Sequence, residues 1–150
     1  MKTITFLLAS LLISLGACSQ VTPPKEVGTA FQKKFDQGQH VRWSRENDRE
    51  WEAEFVLDGA KMSANFDNSG SWIETEKALK KSELPESVMK TIKTDFPGYK
   101  ISEPEQVEKP GFNGYEVELE KGEQTLEVVF SEDGNILSKT TVEEGAEEED

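Results

Sequence analysis

The stretch Glu50-Trp51-Glu52-Ala53-Glu54-Phe55-Val56-Leu57 alternates acidic and apolar residues, and Tyr115-Glu116-Val117-Glu118-Leu119-Glu120 repeats the pattern further along the chain. Successive side chains on an extended strand point to opposite faces. Trp51, Ala53, Phe55 and Leu57 therefore share one face, and Glu50, Glu52, Glu54 and Asp58 share the other. The second stretch divides in the same way, with Tyr115, Val117 and Leu119 against Glu116, Glu118 and Glu120. Alternation this regular predicts antiparallel strands with one face on a core and one toward water.

Working outward, Asp58-Gly59 and Lys121-Gly122 mark hairpin turns, after which Met62, Ala64, Phe66 and Leu126, Val128, Phe130 supply the next inward faces. Asp67-Asn68-Ser69-Gly70 and Glu132-Asp133-Gly134-Asn135 close a further turn before Trp72-Ile73 and Ile136-Leu137. Val41 and Trp43 belong to an earlier strand. Ile101 and Val107 are its weaker counterparts, separated by Pro104. Upstream of each strand group, apolar residues recur at i, i+4 and i+8: Val27, Phe31, Phe35, and then Val88, Ile92, Phe96. That spacing places each triplet on one stripe of a short helix. Pro85 suits the first turn of the second helix and Glu86 its positive end, while Gly38 and Pro97-Gly98 stop the helices.

The two groups align with each other. The helical triplets match at an offset of 61, and Trp51, Phe55, Phe66 and Gly70 match Tyr115, Leu119, Phe130 and Gly134 at an offset of 64. Aromatic for aromatic and glycine for glycine in register predicts an internal duplication. The expected fold is α+β: two helix-plus-antiparallel-sheet repeats, residues 26–76 and 77–141, forming one curved antiparallel sheet with helices on one face.

The ends read differently. Residues 1–17 carry Lys2 as their one charge, followed by an apolar run from Ile4 to Ile13, which is the layout of a secretory signal and too short to span a bilayer. Leu15-Gly16-Ala17-Cys18 resembles the lipobox of bacterial lipoproteins, which implies cleavage before Cys18 and its acylation. Three acyl chains exceed the two signals needed for stable anchoring. Ser19, a non-acidic residue after the cysteine, implies an outer-membrane lipoprotein facing the periplasm. Residues 18–25 form a tether with Pro23 and Pro24 that spans at most about 25 Å. Residues 142–150 hold six acids and no aromatic, the composition of a disordered tail.

Composition narrows function by exclusion. The chain has 150 residues, and its one His and one Cys remove most catalytic chemistry and are too few for a zinc site of Cys and His or a disulfide framework. Without the leader, 16 bases face 30 acids, a net charge of −14, so nucleic acid is not an expected partner. The charge is uneven: residues 77–100, read as helical, carry +3, and residues 101–134, read as strands, carry −8. No cofactor or metal is implied. Asp67-Asn68-Ser69-Gly70 lacks the spacing and distal Glu of a calcium loop and reads as a turn. His40 reads as an exposed strand-edge residue, and Trp43, Trp51 and Trp72 as core.

The helix, the run Trp51-Glu52-Ala53-Glu54-Phe55, the run Phe66-Asp67-Asn68-Ser69-Gly70-Ser71-Trp72 and the Leu84-Pro85 that opens a second unit together resemble the PepSY-like proteins, over residues from about 26 to 141. These are small secreted or lipid-anchored bacterial proteins whose fold is similar to the β-lactamase inhibitor protein. The resemblance implies a sheet with one face open and a role in binding or restraining proteins. The chain departs from the inhibitor in having no cysteines left for its disulfides and no loop that matches its inhibitory loops. The expectation is a non-enzymatic, membrane-tethered protein that binds a periplasmic protein through its acidic sheet face, with Glu52, Glu54, Glu116, Glu118 and Glu120 as candidate contacts. The alternative is a small-ligand or cation carrier using the same face.

Overall fold

The computed structural model describes residues 21–142; the lipobox Cys18 and the acidic run 143–150 lie outside the described residues. Helix α1 (Lys25–Lys34) precedes β1 (Gln39–Asn47), β2 (Glu50–Leu57), β3 (Ala60–Asp67) and β4 (Trp72–Ala78). A 3-10 turn (Lys81–Glu83) leads into α2 (Glu86–Asp95), then β5 (Lys100–Lys109), β6 (Phe112–Lys121), β7 (Gln124–Ser131) and β8 (Ile136–Val142). The strands form one eight-stranded antiparallel sheet in chain order. The fold is α+β, as its residue pattern predicts. Among the described residues no helix is long and apolar enough to cross a membrane.

Both helices lie over the same sheet face, and the register shows why. Trp51 opposes Phe66 and Ala53 opposes Ala64; Ala64 then opposes Thr75, Thr75 opposes Glu108 and Glu108 opposes Asn113. Along β6 the alternation from Asn113 puts Tyr115, Val117 and Leu119 on that same face. Two core clusters fill the space under the helices. Val27, Phe31 and Phe35 close over Trp51, Ala53, Phe55, Ala64 and Phe66. Leu84, Val88, Ile92 and Phe96 close over Val117, Leu119, Leu126, Val128 and Phe130. Phe31 centres the first cluster, its ring edge-on to Phe55 at 5.0 Å between centroids and to Trp43 at 5.4 Å, geometry that adds to simple burial. Trp51 is buried, while Trp43 and Trp72 are partly buried against the same cluster.

The turn residues behave as their chemistry requires. Asp58 and Gly59 both take positive φ, 52° and 80°, the form that links twisted antiparallel strands most closely. Gly70 and Gly134 also have positive φ, and there is a second reason for them. A Cβ at Gly70 would lie 2.7 Å from the Glu26 carbonyl oxygen, and one at Gly134 would lie 2.6 Å from the Ser87 carbonyl carbon. Each turn presses on the first turn of its helix. Thr91 Oγ1 fixes the second contact by donating to the Gly134 carbonyl at 2.8 Å.

Three local differences from expectation have physical causes. Pro85 stands at the N-cap of α2, one residue ahead of the first turn. Strand β5 runs through Pro104, which sits beside a register shift between Ile101 and Pro104 against β6 and whose carbonyl accepts from Leu79 N at 2.9 Å. Ile136 and Leu137 are exposed at the edge strand, whereas Trp72, at the corresponding position opening β4, packs on the core. His40 is exposed in β1, as expected, with φ 55° beside another register shift.

Candidate functional site

The sheet face away from the helices is built by the other half of each alternation. Across β1 to β4 one row runs Ser44, Glu52, Asn65, Glu74, and the next runs Arg42, Glu54, Ser63, Glu76. The register between β4 and β5 joins the two halves of the sheet: Glu76 opposes Val107 and Ala78 opposes Glu105. Glu105 in turn opposes Glu116, which opposes Val129, and Glu118 opposes Glu127. Carboxylates from β4, β5 and β6 therefore converge at mid-sheet. Carboxylate oxygens of Glu76, Glu105 and Glu116 lie within 4.8 Å of one another.

These are not freely solvated acids. Glu74 and Glu76 are each 7% exposed and Glu127 is 9% exposed. Burial, reinforced first by the Glu105 charge, pushes the Glu76 carboxyl up to about 9, although Ser63 Oγ donates a hydrogen bond to its Oε2 at 3.0 Å. Burial and then Glu103 raise Glu105 to about 7. Burial and then Glu127 raise Glu116 to about 8, against the pull of Lys109. Glu52 is raised by burial as well, opposed by the hydrogen bond that Ser44 Oγ donates at 3.1 Å. A buried like-charge cluster favours the neutral form of its members, so at neutral pH this face holds protons.

One cation enters the cluster from within the chain. Lys109 Nζ meets the buried Oε2 of Glu74 at 2.5 Å, and the two side chains are 23% and 9% exposed. Two apolar side chains also point to this face, Val107 opposite Glu76 and Val129 opposite Glu116. Val107 and Val129 are 1% exposed although neither belongs to a core cluster under a helix. The Phe112 ring folds against Gly114, where a Cβ would meet Phe112 Cζ at 2.5 Å.

The candidate residues named from sequence separate by position. Glu116 sits in the centre, and the Glu52 charge adds to the repulsion felt there by Glu105. Glu54 lies toward the β1 edge, 3.6 Å from the Arg42 guanidinium. Glu118 accepts from Ser102 Oγ at 2.9 Å beside Glu127. Glu120 is exposed at the strand end, opposite Lys100. Glu74, Glu76, Glu105 and Lys109 were not among the candidates. The alternation Glu74-Thr75-Glu76 signals two of them, but Pro104 masks the same signal around Glu105.

The Asp67 loop is a turn, as its sequence indicates. The Asp67 carboxylate accepts from Ser69 Oγ, Ser71 N and Ser69 N at 2.6 to 2.9 Å, and these bonds, led by the Ser69 hydroxyl, hold it down at about 2. A shallow, open hollow of about 600 Å³ lies at Lys80, Lys81, Ser82, Leu84 and Met89 and includes none of the acidic face.

A family model provisionally described as beta-lactamase-inhibitor-like, PepSY-like matches residues 49–138. The fold is similar to a DUF2874 family protein from Bacteroides ovatus, at 20% identity and a TM-score of 0.74, covering 81% of this chain and 89% of that one. It is also similar to a BLIP-like protein from Bacteroides fragilis, at 21% identity and a TM-score of 0.74, covering 87% and 94%. A protein from Bacteroides eggerthii assigned provisionally to the periplasm is similar at 17% identity and a TM-score of 0.73, covering 81% and 90%. At these identities the likeness is one of fold. No curated protein matches the chain.

Proposed function

Because the chain belongs to the PepSY-like, beta-lactamase-inhibitor-like family, we propose that it is a non-catalytic, lipid-anchored periplasmic module that binds a protein partner through the sheet face away from its helices. The family and the BLIP-like and periplasmic neighbours support the coarse reading of a non-catalytic periplasmic module. The observation that carries the finer one is the face itself. Both core clusters lie under the helices, and the opposite side carries rows of carboxylates across several strands. A broad, acidic surface of this kind suits protein docking, with the charges steering encounter and fixing orientation. The lipobox at Cys18 and the tether to Lys25 would hold that surface near a membrane.

The test is recovery of envelope proteins on the lipidated chain. Binding falls with added salt and falls again when Glu52, Glu54, Glu116 and Glu118 become Gln. Truncation after Val142 removes six acids without touching the sheet. Full recovery on the fourfold Gln variant, or complete loss on truncation alone, contradicts the proposal. For the anchor, Cys18→Ser leaves the protein unprocessed or soluble, and membrane recovery at the wild-type level after a salt wash contradicts that part. A second reading, carriage of a cation, draws on the spacing of the Glu76, Glu105 and Glu116 oxygens. Direct calcium titration of the purified chain distinguishes it.

A further inference from the structure

The sheet is weakest where its two halves meet. Residues 75–78 of β4 pair with 105–108 of β5, the shortest ladder in the sheet. Every other pair of neighbouring strands is joined by a turn of two to four residues, whereas residues 79–99, α2 among them, separate β4 from β5. Side chains across this seam are also poorly matched. β2 sets Trp51, Ala53 and Phe55 opposite Phe66, Ala64 and Met62, and β6 sets Tyr115, Val117 and Leu119 opposite Phe130, Val128 and Leu126. At the seam the pairs are Thr75–Glu108, Glu76–Val107, Lys77–Gln106 and Ala78–Glu105, and none joins two apolar side chains. Apolar cross-strand pairs add to the backbone ladder, so the seam lacks a contribution that both halves have. No buried member of either core cluster comes from β4 or β5. Parting these two strands therefore opens neither cluster.

What else spans the seam is polar. Lys109 on β5 reaches Glu74 on β4, and the Leu79 N–H donates to the Pro104 carbonyl at 2.9 Å. Against these ties, Glu76 on β4 faces Glu105 on β5 and Glu116 on β6, with carboxylate oxygens within 4.8 Å of one another. We propose that the β4–β5 seam is a hinge between two halves of one helix and four strands each, opened by ionisation of the carboxyls that face each other across it. Around Glu76 stand Glu74 on its own strand, Glu105 on β5 and Glu116 on β6, with Ser63 on β3 as hydrogen-bond donor. Glu105 also feels Glu103 on its own strand, Glu52 on β2, Glu127 on β7 and Glu74; Glu116 feels Glu127 and Glu74, with Lys109 opposing. On the helix side the charged groups of the seam are Lys77 and Glu108. The closed seam keeps protons on its buried carboxyls, and the open seam, wetted by solvent, releases them. Opening becomes easier as pH rises above the ordinary carboxyl value, by up to about tenfold per pH unit for each proton released, until the closed form ionises as well. On the docking reading, a partner that spans both halves is held by the closed face, so its attachment weakens over the same range.

Amide hydrogen exchange of the full chain from pH 6 to pH 8, corrected for the intrinsic rate at each pH, tests the hinge. The Leu79 amide reports the seam, and amides of β2 and β7, central in each half, report the cores. Leu79 opens at least tenfold more often than the core amides at every pH, and its opening constant rises at least tenfold from pH 6 to pH 8. Glu76→Gln, Glu105→Gln and Glu116→Gln together remove that rise, with circular dichroism confirming the fold. If the triple variant does not fold, Glu76→Gln alone reduces the rise at least threefold. Equal opening constants at the seam and in both cores mean that the seam parts only when the whole chain unfolds, and overturn the proposal. So does a seam constant that does not change with pH, or a rise undiminished in the Gln variants. No partner takes part in the exchange, so its failure leaves the docking reading in place. Full recovery of the envelope partner on the fourfold Gln variant removes the docking reading and leaves the hinge.

Discussion

Glu76→Gln stabilises the protein, and the gain grows with pH. In the unfolded chain this carboxyl loses its proton near the ordinary value of 4.5; in the fold, burial and then the Glu105 charge hold the proton on until about 9. A group raised in this way contributes most below its unfolded value, and the contribution is lost as pH climbs toward its folded value. Between those two values the native state keeps a proton that the unfolded state has released, at a cost of about 1.4 kcal/mol per pH unit. From pH 5 to pH 7 that is about 3 kcal/mol for this residue, an upper figure because neighbouring carboxyls share the titration. The amide that replaces the carboxyl keeps the shape and the acceptor for Ser63 and has no proton to lose. Urea denaturation at half-unit steps from pH 5 to pH 8 would show near-equal stability at the acid end and an advantage for the variant of about 1–3 kcal/mol at pH 7. An advantage that is constant across the range, or a variant less stable at pH 7, refutes the claim that a repelled, buried carboxyl occupies the centre of this face.

Phe55→Ala and Leu119→Ala each lower stability by about 2–5 kcal/mol and shift one shared transition, because their two clusters stand on a single sheet; two melts, each sensitive to one mutation, contradict this. Gly134→Ala costs more than Gly59→Ala, since both have positive φ but only Gly134 meets backbone, at 2.6 Å from the Ser87 carbonyl carbon. The second change costs about 1 kcal/mol and the first at least twice that, measured by thermal or urea unfolding. Lys109→Met leaves Glu74 buried without its cation and destabilises by about 3–5 kcal/mol near neutral pH, and adding Glu74→Gln recovers much of the loss. Additive losses in that double variant contradict the pairing.

What the sequence made legible follows from the range of the forces involved. Alternation in Glu50–Leu57 and Tyr115–Glu120 assigns side chains to faces locally, so the strands, the inward faces and the acidic outward rows could be read directly. Gly70 and Gly134 stood out as matched glycines, and the fold adds the reason, a helix backbone pressed against each. The chemistry of the acidic face was less legible because it depends on the register of β4 against β5, strands separated by a helix in the chain. That register brings Glu76 to Glu105 and Glu116, and no local period encodes it. Glu118 and Glu120 continue the Glu116 alternation, yet the sheet places Glu120 at an exposed end. Pro104 hid β5, since a proline inside a strand pattern argues against a strand unless a bulge accommodates it.

The most direct measurement of the central claim is photocrosslinking in the native envelope from four single positions of the lipidated chain. Glu103 and Glu118 report the face away from the helices; Lys33 and Lys90, exposed on α1 and α2, report the opposite side. The account predicts one protein adduct from positions 103 and 118, lost when Glu52, Glu54 and Glu116 are replaced by Gln, and no such adduct from 33 or 90. An adduct formed from the helix positions and absent from the sheet positions would contradict it.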